Sequence, residues 1–174
     1  YYSVLDGQSK ISNLVNKAVE NGMKGMAITD HGVMFGIKEF ADYCAGVNKK
    51  RKADGLEPFK PILGCEMYVA RHRLQDKVKE HGDNSGYHLI VLAKNYNGYK
   101  NLIKLVSKSW MEGYYYRPRT DRVELEKYHE DLIVCSACIA GEVPSKIIKD
   151  DLEGAREACE WYHRVFGDDY YLEL

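Results

Sequence analysis

Apolar residues recur at positions 11, 14, 15, 18 and 19, the one-sided stripe of an amphipathic helix, with Ser9 placed to cap its start and Gly22 to end it. Gly25-Met26-Ala27-Ile28-Thr29 is short and nearly continuously apolar, which predicts a strand buried on both faces. The polar turn Asp30-His31-Gly32 follows, and then a helical pattern from 33 to about 47. That order returns along the chain. Further strands are predicted over 61–69, 88–93, 132–136 and 170–174, with helices over 99–111 and from beyond the fourth strand through Phe166. Residues 48–59, with the run Lys49-Lys50-Arg51-Lys52, and residues 71–86, charged and patternless, read as loops. Buried strands alternating with helices predict an α/β fold on a parallel sheet, open or closed into a barrel.

Composition narrows the class without naming a function. The 174 residues suit one domain, and 45% hydrophobic with 29% charged residues excludes a disordered chain. With 25 Lys and Arg against 26 Asp and Glu, the net charge is −1, so any polyanion site must be local. No apolar stretch nears the ~18 residues that span a bilayer, and no basic-plus-apolar leader opens the chain. Five cysteines, an odd number and mostly within apolar runs, read as reduced thiols. A cytoplasmic location is expected. Starting at Tyr1 and stopping within the run 170–174, the sequence reads as part of a longer chain.

Metal-capable residues stand at the ends of predicted strands: His31, Glu66 and Cys138. Asp6 and His88 complete the set, although His88 opens its apolar run, so the strand pattern does not bring it to the same edge. Each residue also has a plainer reading. Asp30 can cap a helix, His88 can be a satisfied core histidine, and Cys138 can be a small buried side chain. Glu66 is harder to dismiss, because a carboxylate in an apolar run must be paired, metal-bound or protonated. Cys135-x-x-Cys138 has no second pair at finger spacing, which argues against a zinc finger or a redox dithiol. The run Tyr114-Tyr115-Tyr116-Arg117-Pro118-Arg119 mixes aromatic faces with guanidinium groups. Tyr115, Arg117 and Arg119 can stack bases and hold phosphates, or the tyrosines can pack under a proline turn.

Seven segments in order carry a resemblance: Tyr2-Ser3-x-Leu5-Asp6-Gly7, Ala27-Ile28-Thr29-Asp30-His31-Gly32, Pro61-Ile62-Leu63-Gly64-Cys65-Glu66, Tyr87-His88-Leu89-Ile90-Val91-Leu92-Ala93-Lys94, Asn97-Gly98-Tyr99-x-Asn101-Leu102, Glu112 through Arg119, and Ser136-Ala137-Cys138-Ile139-Ala140-Gly141-Glu142. Together they resemble the N-terminal PHP (polymerase and histidinol phosphatase) domain of bacterial replicative DNA polymerases. The resemblance implies a distorted (β/α)7 TIM-like barrel of the PHP type, incomplete at both ends here. A His-x-His pair is expected ahead of Tyr1 and an Asp-x-His pair beyond Leu174. It also implies a cluster of up to three metal ions, commonly Zn²⁺ with Mn²⁺ or Mg²⁺ able to serve, on ligand positions that fall at Asp6, His31, Glu66, His88 and Cys138. Catalysis would run through metals on Asp6, His31 and Glu66, as phosphoester hydrolysis. The intact domain would then trim 3′ ends as a 3′–5′ exonuclease, or else serve as a polymerase scaffold. The partners implied are primer-template DNA, the remaining domains of the polymerase subunit and other replisome subunits, with no membrane. A free-standing phosphatase of the histidinol-phosphate type is the alternative. Metal binding by these residues alone is expected to be weak or partial.

Overall fold

In the computed structural model, which describes residues 2, 3, 7–77 and 85–174, a ten-residue strand, β2 (Lys60–Val69), organises the sheet. Along one edge, β1 (Gly25–Ile28) pairs parallel with its first half, from Gly25 opposite Lys60 to Ile28 opposite Leu63. Along the other edge, β3 (Tyr87–Ala93) pairs antiparallel, with Cys65 opposite Val91 and Tyr68 opposite His88. Next comes β5 (Leu132–Cys135), antiparallel to β3, and then β6 (Tyr170–Tyr171), parallel to β5. A two-residue strand, β4 (Arg119–Thr120), runs parallel beside the end of β2. Among the described residues the sheet has six strands in the order β1-β2-β3-β5-β6, with β4 attached to β2.

The α/β class therefore holds, but the expected all-parallel sheet does not: β3 is reversed. The sequence contained the reason. A parallel return needs a crossover, usually a helix, and residues 71–86 carry no helical pattern, so the strand that follows them pairs antiparallel with β2.

The helices lie against one face of the sheet. Cys65, Met67 and Val69 alternate along β2 and join Leu89, Val91, Leu132 and Val134 under α3 (Tyr96–Met111), α4 (Arg122–Lys127) and α6 (Leu152–Phe166). Leu63, on the same face of β2, packs instead with α1 (Ile11–Glu20) and α2 (Ile37–Ala53) through Val15 and Phe40. Fully buried leucines such as Leu102 and Leu105 each contribute roughly 1.5–3 kcal/mol of burial. Glu66 and Tyr68 take the opposite face.

Several boundaries differ from the pattern. Ser9 does not cap α1; Lys10 holds the cap position without a side-chain bond. Gly22 does end α1, at φ +72°, with the Met23 amide on the Ala18 carbonyl and the Gly22 amide on the Val19 carbonyl. Helix α2 starts later than expected and continues to Ala53, so the basic run is helix rather than loop. Its Lys50, Arg51 and Lys52 sit where the helix dipole favours cations. A short helix, α5 (Glu142–Ile148), precedes α6.

Arg119 is corrected most sharply. It is fully buried, and its guanidinium donates to the carbonyls of Gly113 (3.2 Å), Leu74 (3.3 Å) and Asp76 (2.7 Å) while lying over the Tyr115 ring. A side chain so enclosed cannot touch nucleic acid, and Tyr115, half-buried beneath it, is a packing ring. Arg119→Met is expected to leave those carbonyls short of donors and lower stability by about 3 kcal/mol, read as a lower urea midpoint with unchanged slope. A midpoint within error of the parent's would contradict this role.

Candidate metal centre

The reversal of β3 decides where His88 sits. β1, β2 and β5 end at one edge of the sheet, and because β3 runs the other way its start lies at that edge. His31, just past β1, forms a parallel bridge with Glu66, tied by the Glu66 amide on the Asp30 carbonyl (3.1 Å) and the Gly32 amide on the Glu66 carbonyl (2.8 Å). His88, the second residue of β3, bridges to Gly141 through its amide on the Ala140 carbonyl (3.1 Å), which draws in the turn that carries Cys138. Three neighbouring strands and the turn after β5 thus bring four of the five candidate ligands together. The fifth, Asp6, lies outside the described residues.

Glu66 stands at the centre. Its Oε1 lies 2.8 Å from His31 Nδ1 and 3.1 Å from His88 Nδ1, and Cys138 Sγ lies 3.5 Å from that same His88 nitrogen. The Glu66 side chain is 15% exposed. Burial pushes its carboxyl up, but the His88 hydrogen bond and the charges of His31 and His88 outweigh this and hold it below the ordinary carboxylate value. Tyr68 packs edge-on against the His88 ring at 5.2 Å between centroids. On the other side, Ser3 Oγ accepts from the His31 amide (3.1 Å) and donates to Asp30 Oδ1 (3.0 Å).

The Cys138 turn is built under constraint. Ala137 adopts φ +61°, a conformation costly for a residue with a Cβ. Its amide donates to Glu173 Oε2 (2.8 Å), while the Glu173 amide donates to Ser136 Oγ (2.9 Å). A Cβ on Gly141 would stand 2.0 Å from the Ser136 carbonyl oxygen, so only glycine closes this turn.

Among the described residues no three His, Cys, Asp or Glu side chains form a ready-made metal cage; the four hold one another instead. Their spacing nonetheless suits a metal. Donors on a tetrahedral Zn²⁺ stand ~3.3 Å apart for nitrogen and oxygen and ~3.5 Å for nitrogen and sulfur. The observed 2.8, 3.1 and 3.5 Å need only a small opening. Imidazole and thiolate with a bridging carboxylate is also a donor set that favours Zn²⁺ by softness.

Beside this centre opens a cleft of about 570 Å³ whose wall includes His31, His88, Tyr68, Trp110, Tyr114 and Arg117. Of the three expected nucleic-acid contacts, Arg117 alone reaches it, exposed and lying over the Tyr68 ring at 5.6 Å. Sequence reasoning did not single out Trp110, which the helical pattern of α3 absorbs, nor Tyr68, which reads as a strand residue. The Trp110 indole donates to the Gly32 carbonyl (2.7 Å), next to His31. Gly32 itself has φ +65°, and a Cβ there would stand 2.6 Å from Pro118 Cγ.

A fold with helices on one sheet face and clustered N, O and S donors at the strand ends defines an α/β domain with a candidate metal site. The chain matches the PHP domain model over residues 1–174 and belongs to that family. It is 46% identical over 173 residues to the DNA polymerase III subunit alpha of Borreliella burgdorferi, 41% over 174 residues to that of Treponema pallidum, and 40% over 178 residues to that of Aquifex aeolicus. Each alignment covers 99% of this chain and 14% of the relative, so the chain spans about a seventh of their length.

Because the folded carboxyl of Glu66 lies below its ordinary value of 4.5, its ionised form contributes stability that is present above that value and lost as pH falls through the folded one. With chelator present, the urea midpoint of Glu66→Gln should therefore fall below the parent's at pH 6–7, and the gap should close on acidification to about pH 3. A gap that is independent of pH would contradict this assignment.

Proposed function

We propose that this chain is the PHP domain of a replicative DNA polymerase alpha subunit and acts as a metal-dependent phosphoesterase on DNA 3′ ends, as a 3′–5′ exonuclease. One observation carries the reading: His31, Glu66, His88 and Cys138, at the ends of or just past four neighbouring strands, meet within 3.5 Å contacts beside an open cleft. Zn²⁺ is the ion their donor set favours, with Mn²⁺ or Mg²⁺ as alternates, and Asp6 is the further ligand expected by family. A divalent ion bound there would polarise a phosphoryl oxygen and make water acidic enough to lose a proton near neutrality.

The chain's own residues prepare the site. Glu66, ionised at neutral pH, is a ligand rather than an acid, and it keeps the Nδ1 atoms of both histidines facing one point. Tyr68 fixes the plane of the His88 ring, as supporting groups do around metal ligands. Arg117, with no carboxylate partner among the described residues, offers positive charge to a phosphate in the cleft.

The sheet is read here as an arc of a distorted (β/α)7 TIM-like barrel. Supporting this, the helices cover one face, the candidate ligands occupy the other, and all strands but β3 run one way. The flanking strands, bearing a His-x-His and an Asp-x-His pair, would come from the longer polypeptide. DNA, the other domains of that subunit and further replisome subunits would be the partners, in the cytoplasm. No helix among the described residues is long and apolar enough to cross a membrane.

In the complete polymerase subunit, metal-dependent release of nucleotides from a labelled 3′ end should fall in Glu66→Ala and His88→Ala by more than the ~10–100-fold that loss of a supporting partner costs. DNA synthesis should persist in both variants. Unchanged release would refute the catalytic reading and leave a scaffold role.

A further inference from the structure

The cleft beside the metal centre has two unlike walls. At the strand edge it meets His31 and His88, with the Arg117 guanidinium carbon 5.6 Å from the centre of the Tyr68 ring, which in turn packs on His88. Elsewhere its lining is mainly aromatic. Trp110 and Tyr114 stack at 5.5 Å between centroids and 22° between planes, and Phe35 reaches the same space with 70% of its surface exposed. The Trp110 indole is pinned to the Gly32 carbonyl, so this wall is held in register with the metal-side residues. A cluster of exposed aromatic rings beside a cleft marks a surface that a ligand or partner covers, because burying such rings is worth more than leaving them wet. The volume, about 570 Å³, lies within the ~300–1,000 Å³ usual for a small-molecule site.

We infer that this cleft binds one unpaired nucleotide, its phosphate between Arg117 and the histidine edge and its base against the Trp110–Tyr114–Phe35 wall. Guanidinium charge and stacked rings lining one cleft suit a phosphate and a base on one sugar, and neither inorganic phosphate nor a flexible aliphatic phosphate would use both. The assignment builds on the proposed phosphoesterase reading and supplies its substrate preference. It relocates the nucleic-acid contact expected of the tyrosine–arginine run: Arg117 keeps it, Tyr115 and Arg119 lose it to packing, and Trp110, Tyr114 and Phe35 gain it.

Calorimetric titration of the complete polymerase subunit in chelator tests this without turnover. Deoxyadenosine 5′-monophosphate should bind at least about 10-fold more tightly than deoxyribose 5-phosphate, through stacking of its base. Tyr114→Ala should weaken the nucleotide about 10-fold and leave the sugar phosphate unchanged, whereas Arg117→Ala should weaken both; Ile148→Ser, an exposed position on α5, should change neither. A single-stranded tetranucleotide binding as tightly as the mononucleotide identifies the source as a strand end; its refusal identifies a free nucleotide, which supports the site but overturns the exonuclease reading. Equal affinity for nucleotide and sugar phosphate, or absence of binding by a chain whose circular dichroism is helical, overturns it. Zinc titration of the complete subunit, dialysed free of chelator and compared with Glu66→Ala, separates the two readings. Zinc binding without base preference sinks this inference alone, and base preference without zinc binding sinks the metal reading alone.

Discussion

A carboxylate in the middle of the strand that carries the core must be satisfied, and the satisfaction of Glu66 organises this molecule. Its neighbours Cys65 and Met67 are buried on the helix side, so the backbone pleat commits Glu66 to the other face. There it meets His31 from one flanking strand and His88 from the other. Unpaired, a charge this enclosed would cost several kcal/mol. Paired, it makes the edge of the sheet a point where nitrogen, oxygen and sulfur donors converge.

The surrounding framework serves that point from outside it. Reversal of β3 brings His88 to the edge and, through its bridge to Gly141, brings the strained Ala137–Cys138 turn with it. Arg119 acts at a distance: its guanidinium gathers the carbonyls of Gly113, Leu74 and Asp76, fixing the turn that presents Arg117 and the chain leaving β2. Asp121 adds to the same framework, accepting from Arg73 Nε, the Leu74 amide and the Glu124 amide. Two buried charged side chains, Arg119 and Asp121, therefore brace the segments behind Arg117 without lining the cleft.

Much of this was legible in the sequence, and what was not has physical reasons. Strong apolar runs exposed β1, β2, β3 and β5, and the odd placement of Glu66 within one of them pointed to its pairing. His88 could not be assigned to the edge because strand direction is a pairing property, visible only indirectly in the missing helix pattern of 71–86. β4 and α4 are too short for periodicity, although Asp121-x-x-Glu124 carries the helix-start pattern that would have located α4. Arg119 was misread because an arginine's burial depends on carbonyls brought from distant segments. The role of Trp110 was hidden for the same kind of reason: its partner, the Gly32 carbonyl, lies in another part of the chain.

The central claim is that four neighbouring strand ends make one mixed-donor metal centre. X-ray absorption at the zinc edge of the loaded protein tests it most directly. The account predicts a shell of nitrogen and oxygen at ~2.0–2.2 Å with one sulfur at ~2.3 Å, the sulfur lost in Cys138→Ser. A sulfur-free shell in the parent, or one unchanged by that substitution, would contradict it.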